Sequence, residues 1–245
     1  MFRPYECRAV TAPAVLAAAK RLQGEAYVRD RHLPAEALTP QGWLPWHDRG
    51  PAARACWFGA FDETDALVAV AGRIGGEAVA GRMGNGAAAG VSEGQIGGEV
   101  VLPAIRLMGD DLPETIKGCP AGLVAELTGV AKAPHAPLSA TLHVYRELYR
   151  ACVRGGDRLF VMSVVPALRA TIERVLPRAV TISPRAVPVQ ATYPGVRADV
   201  VAYPAWGAVA TFTAGIRAAA ADAPEPAHRT FLAGVATFMD EGIGR

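Results

Sequence analysis

The sequence predicts a mixed α/β fold: a mostly antiparallel sheet with a parallel strand pair at its centre, flanking helices and a helical tail. Three observations lead there. Residues 122–164 read strand, helix, strand; residues 56–74 carry a hairpin signature; residues 206–242 hold two helical segments. A strand–helix–strand unit needs a crossover, and the crossover makes its two strands parallel.

Taken in order, residues 5–10 predict a first strand. Thr11 is the expected N-cap of a helix over 14–31, with Pro13 just inside it. Val15, Leu16, Ala19, Leu22, Ala26 and Tyr27 would face the core. Residues 33–55 place Pro34, Pro40, Pro45 and Pro51 around Trp43, Trp46 and His47, which reads as a long ordered loop of the kind that lines sites. Two apolar runs, 56–61 and 66–74, flank the polar residues 62–65 as a hairpin. Residues 75–98 are rich in glycine and alanine and read as a flexible excursion. Their glycines do not follow a strand and open a helix, so no phosphate-binding loop is expected there. Residues 100–107 predict a strand and 112–116 a short helical turn.

In the central unit, residues 123–131 form an apolar strand interrupted by Glu126 and Gly129. Leu138, Leu142, Tyr145, Leu148, Tyr149 and Cys152 then recur at steps of three and four, one stripe of a helix. Gly155 and Gly156 end it, and 158–165 is the second strand. Pro166 opens a helix over 167–176, and 179–182 is a short strand. A proline-broken loop over 184–194 precedes a last strand over 198–203. The expected division is a main domain over 1–204 and a helical extension over 205–245.

Composition narrows the function classes. Of 245 residues, 51% are hydrophobic and 20% charged, which describes a globular protein and not a disordered one. The net charge of +2 comes from 25 basic and 23 acidic side chains, well mixed, so no nucleic-acid partner is expected. Cys7, Cys56, Cys119 and Cys152 are far apart and form no metal-ligand spacing, which suggests reduced cytoplasmic thiols and no bound metal. No signal-peptide pattern and no membrane span are expected. Glu126 stands out chemically. A carboxylate in a buried strand must be paired, protonated or turned to a cleft.

Three stretches carry a family resemblance. The first is 22–28, ending Tyr27-Val28. The second is the hairpin 58–62 with 67–74, whose second strand ends Gly72-Arg73-Ile74. The third is Ala125-Glu126-Leu127-Thr128-Gly129-Val130-Ala131, with Leu112-Pro113-Glu114 shortly before it. In that order they resemble the GNAT acyltransferases, in the branch of N-acyl amino acid synthases and acyl-homoserine-lactone synthases. The resemblance covers most of residues 15–183. Two positions depart from it: Gln23 and Gly129 stand where the family pattern has arginine. Residues 132–137 also lack the family's acetyl-CoA loop pattern, and Pro134 and Pro137 remove amide donors for a pyrophosphate. The tryptophan and paired acids that lactone synthases place after the first helix are not recognisable, although Trp43, Trp46 and Asp48 lie nearby, so lactone synthesis from S-adenosylmethionine is not expected. The donor is carried by a protein, or the site is not catalytic.

The resemblance implies a GNAT-like sheet whose central parallel strands splay apart around a pantetheine arm, and transfer of an acyl group from a thioester to an amine. Glu126 would be the base or amine-orienting group; the alternative is an ion pair with Arg73 from the neighbouring strand. Arg73 would bind an acceptor carboxylate or neutralise Glu126. Tyr145 would protonate the leaving thiolate or pack in the core. Thr128, Gly129, Val130, His135 and Ser163 would contact the donor, with Gly129 marking the splay. Tyr27, Trp43 and Trp46 would border the substrate, the tryptophans otherwise anchoring their loop. No tightly bound cofactor is implied: the acyl thioester, on the phosphopantetheine of acyl carrier protein or on CoA, is a co-substrate. The implied partners are acyl carrier protein and a small amine, and a homodimer is compatible. The alternative functions are a non-catalytic module that binds an acyl thioester or a protein partner, and thioester hydrolysis on the same fold.

Overall fold

The computed structural model describes residues 5–75, 95–96, 99–100, 102–241 and 243. Ten strands and seven α-helices are described. Strand β1 (Glu6–Ala9) leads into helix α1 (Pro13–Arg29). Pro13 opens that helix, but Ala12 occupies the N-cap in an extended conformation without a side-chain cap, so Thr11 is not the N-cap. The loop that follows is ordered by burial: Leu33 and Leu44 are 1% exposed and His47 is 3% exposed. Strands β2 (Cys56–Phe61) and β3 (Leu67–Ile74) form the expected hairpin. Its turn is closed by the Asp62 carboxylate, which accepts hydrogen bonds from the Thr64 and Ala66 amides.

The excursion expected over 75–98 lies, apart from Gly75 and β4 (Gln95–Ile96), outside the described residues. The strand expected over 100–107 is corrected. Among the described residues of that run only Val100 belongs to a strand, β5 (Glu99–Val100), and helix α2 runs Pro103–Met108. Pro103 starts the helix and holds Leu102 extended before it, which gave the run its strand-like start. Ala104, Leu107 and Met108 are buried at helical and not alternating spacing. Helix α3 (Glu114–Lys117) is the expected short turn.

The central unit comprises β6 (Val124–Lys132), α4 (Leu138–Arg154) and β7 (Leu159–Val164). After it come α5 (Pro166–Val175), β8 (Thr181–Ile182) and β9 (Val187–Pro188). β10 spans Val201–Ala208, so the last strand extends beyond the expected 203 and the division at 204 falls inside it. Helices α6 (Phe212–Asp222) and α7 (Pro226–Asp240) complete the chain, and their buried residues join the main core.

The main sheet runs β1-β2-β3-β6-β7-β10-β8, with β9 also on β10. All its pairs are antiparallel except β6–β7. That parallel pair is short. Val124, Ala125 and Glu126 face Leu159, Phe160 and Val161. Beyond that point β6 stays with β3 to Lys132, while β7 stays with β10 to Val164. The two strands therefore part after Glu126, which is the splay expected of the fold. Side-chain alternation sends Ala125 and Leu127 into the core under α4. Val124 turns to the opposite face, where α2 packs, and Ala131 faces α1 there.

Candidate active site

A cavity of about 300 Å³ occupies the place where β6 and β7 part. That volume is at the lower end for small-molecule sites. Residues Glu126 to Lys132 of β6 form one wall, and Met162 and Ser163 of β7 the other. Tyr27 closes it from α1, Leu138 and Thr141 from α4, and Leu168 and Thr171 from α5. The segment before β10 adds Val189, Tyr193, Val196 and Val200, so most of the lining is apolar. The interior suits a hydrocarbon chain; Arg29, Asp30, His32 and Lys132 also border it, and one carboxyl is buried within it.

That carboxyl is Glu126, 1% exposed. Its Oε2 accepts a hydrogen bond of 3.0 Å from the Ala104 amide at the start of α2, and the Tyr193 hydroxyl donates to the same group. Burial pushes its pKa up to about 8, against the pull of those two donors. Burial, and then the neighbouring Glu126 charge, also push Tyr27 up to about 12 and Tyr193 well above its ordinary value. Both phenols therefore keep their protons at neutral pH, while the carboxyl sits near half-ionisation in the weakly alkaline range. Trp46 lies behind this pair, its ring 5.9 Å from Tyr27 and 5.1 Å from Tyr193. Ser163 Oγ, shielded from solvent, stands beside Tyr193 and draws that phenol's pKa down against the larger effect of burial.

The β6 wall contains a bulge. Thr128 stands opposite Gly72 and Ala131 opposite Val70, so Gly129 and Val130 together face Ala71. Gly129 has φ +61°, a left-handed conformation suited to the first residue of such a bulge. Its carbonyl accepts a 2.6 Å hydrogen bond from Nε2 of Gln23, and Gln23 Oε1 is bonded in turn to Nε2 of His47. Burial, then the Lys20 charge, lower His47 to about 4, so it is neutral at pH 7. Its Nε2–H then donates to Gln23. A Cβ on Gly129 would lie 2.5 Å from Gln23 Nε2. Gly129→Ala is accordingly expected to destabilise the protein by about 1–3 kcal/mol, read as a lowered thermal midpoint.

Of the residues singled out in the sequence, Glu126, Thr128, Gly129, Val130, Ser163 and Tyr27 line the cavity. The others are placed elsewhere. Arg73 makes a bidentate ion pair with Asp157, at 2.8 and 2.7 Å, beside Cys152. This corrects both readings of Arg73, as acceptor-binding group and as partner of Glu126. Arg73 is in register with Leu127 and Ile74 with Glu126, so alternation sends Arg73 and Glu126 to opposite faces. Tyr145 is 5% exposed in the core under α4 and does not line the cavity, which corrects its placement as a proton donor. His135 is exposed on the loop before α4, away from the cavity. Trp43 stacks on Lys20, 4.5 Å from its Nζ, and so anchors its loop; Trp46 supports the tyrosines without reaching the cavity.

Sequence reasoning missed Tyr193, Asp157 and the roles of Gln23 and His47. Tyr193 sits in a proline-broken segment with no periodicity to expose it. Gln23 did leave a signal: it shares the inward stripe of α1 with Ala19 and Ala26 and is 0% exposed, a polar residue where an apolar one is expected.

No protein-family model and no curated protein matches the chain. Solved structures do. FeeM, an N-acyl amino acid synthase from uncultured soil microbes, superposes with a TM-score of 0.58 at 18% identity, covering 86% of this chain and 94% of that one. BjaI, a CoA-dependent acyl-homoserine lactone synthase solved with SAM and isopentyl-CoA, superposes at 0.54 with 11% identity, over 96% and 90%. The chain therefore has the GNAT-like fold that these acyl-transferring synthases share.

Proposed function

We propose that the protein is an N-acyltransferase that moves an acyl group from a carrier-protein or CoA thioester to the amine of an amino acid or related metabolite in the bacterial cytoplasm. One observation carries the reading. A buried carboxyl, raised to about 8, faces an apolar cavity formed where two parallel strands part. FeeM's description as an N-acyl amino acid synthase supports an amine acceptor, and the isopentyl-CoA in BjaI supports a thioester donor. Pro134 and Pro137, which withhold amide donors beside α4, favour a protein-borne pantetheine over free CoA.

In this mechanism the amine nitrogen attacks the thioester carbonyl, the C–N bond forms and the C–S bond breaks. The proton lost by nitrogen passes to the Glu126 carboxylate, directly or through a water, and an equivalent proton ends on the departing thiol. Tyr193, held protonated, orients the carboxyl, and the protonated Tyr27 stands beside it. The apolar wall from Val189 to Val200 receives the acyl chain.

The test is incubation with panels of acyl-carrier-protein and acyl-CoA thioesters and mixed amines, followed by mass spectrometry of small products. An N-acyl amine is expected. Free acid formed without amine would indicate hydrolysis instead. Tight binding of thioester with no product would establish the non-catalytic module.

A further inference from the structure

We propose that Gln23 and His47 are a positioning pair that holds the peptide between Gly129 and Val130 with its N–H turned to the thioester carbonyl. The proposal rests on the acyl-thioester reading of the cavity and assigns a task to two residues outside the carboxyl cluster.

A carboxamide buried to 0% exposure is costly unless both ends are bonded. Gln23 meets that condition with one contact on each end: Nε2 donates to the Gly129 carbonyl and Oε1 accepts from His47. The bonded chain thus runs from the ordered loop, through α1, to a single peptide of the bulge. His47 is itself held, edge-on to Trp57 at 5.7 Å between ring centres, and is 3% exposed.

The peptide being held is the one least able to hold itself. Gly129 has φ +61° and lacks a side chain that would bias its rotation. A peptide unit is planar and trans, so its C=O and N–H point in opposite directions. With the Gly129 carbonyl drawn to α1, the Val130 N–H is turned away from α1. That is the side from which Leu138 and Thr141 line the cavity. A fixed amide dipole there stabilises charge developing on a carbonyl oxygen without reorganising during the reaction. Without the carboxamide, rotation about Gly129 has no lock.

The test compares two ligands by calorimetry without amine: octanoyl-pantetheine, a thioester, and octyl-pantetheine, the thioether lacking the carbonyl. The wild-type protein is expected to bind the thioester about fivefold tighter, the worth of one hydrogen bond. Gln23→Met, which keeps the side-chain shape, is expected to bind both equally, with thioether affinity unchanged. His47→Leu, outside the cavity, is expected to reduce the preference in the same way and guards against a Gln23 variant that does not fold. Retention of the preference by either folded variant, or equal loss of both ligands, overturns the proposal and leaves the acyl-transfer reading standing. Binding of neither ligand by wild type removes that reading and the positioning pair together.

Discussion

Glu126→Gln is expected to lower kcat by about two to four orders of magnitude, the usual contribution of a positioned general base, while leaving thioester binding nearly unchanged. The same substitution is expected to stabilise the fold at alkaline pH. In the folded chain the carboxyl titrates near 8, against 4.5 for the ordinary side chain. The folded state therefore binds the proton more tightly, and the stability this contributes is full below pH 4.5 and lost as pH rises through 8. Glutamine carries no such loss. Its advantage over wild type is expected to grow from pH 5, level off above pH 8, and reach a few kcal/mol. Thermal midpoints across that range, measured beside kcat, check both halves. In wild type, kcat/KM is expected to rise with pH with a midpoint near 8, because the base works ionised. A substitution that weakened activity and stability together at pH 8 would show Glu126 to be structural.

Arg73→Ala is expected to have the largest effect on stability, about 3–5 kcal/mol, because it strands a buried charge. Asp157 has a side chain 1% exposed, and the Arg73 guanidinium is its ion-pair partner at 2.7 Å. The thermal midpoint is expected to fall by about 10 °C or more, and Arg73→Met with Asp157→Leu to recover much of it. Because Arg73 does not line the cavity and points to the opposite face of the sheet from Glu126, kcat of the folded variant at low temperature is expected to stay within about twofold of wild type. A collapse of kcat with intact folding would restore Arg73 to the acceptor site.

These two residues show what could be read ahead of the structure. Both are charges in apolar strands, and both were marked for that reason. The sequence did not separate their environments. Position 126 and position 73 lie in neighbouring strands whose pairing register places Arg73 against Leu127, and that one-residue offset assigns them to opposite faces. The turn after α4 then supplies Asp157, a residue 84 positions from Arg73 that no local pattern links to it. The strand misread over 100–107 has a different origin: Pro103 makes the residue before it extended and the residues after it helical, so a short apolar run fitted both periods.

The sequence by itself determined the order of elements outside residues 100–107, the parallel central pair, the helical stripe of α4, and the presence of an unusual acid and glycine in the central strand. Those features follow from local periodicity, turn chemistry and the energetic cost of a buried charge, all of which act over a few residues. Only the tertiary structure decided that the acid is held by an amide of α2 and a tyrosine from a distant loop, that Arg73 belongs to another pair, and that Gln23 reaches the bulge. Those contacts join segments up to 106 residues apart, and they are set by strand register and packing, which chain neighbours do not encode.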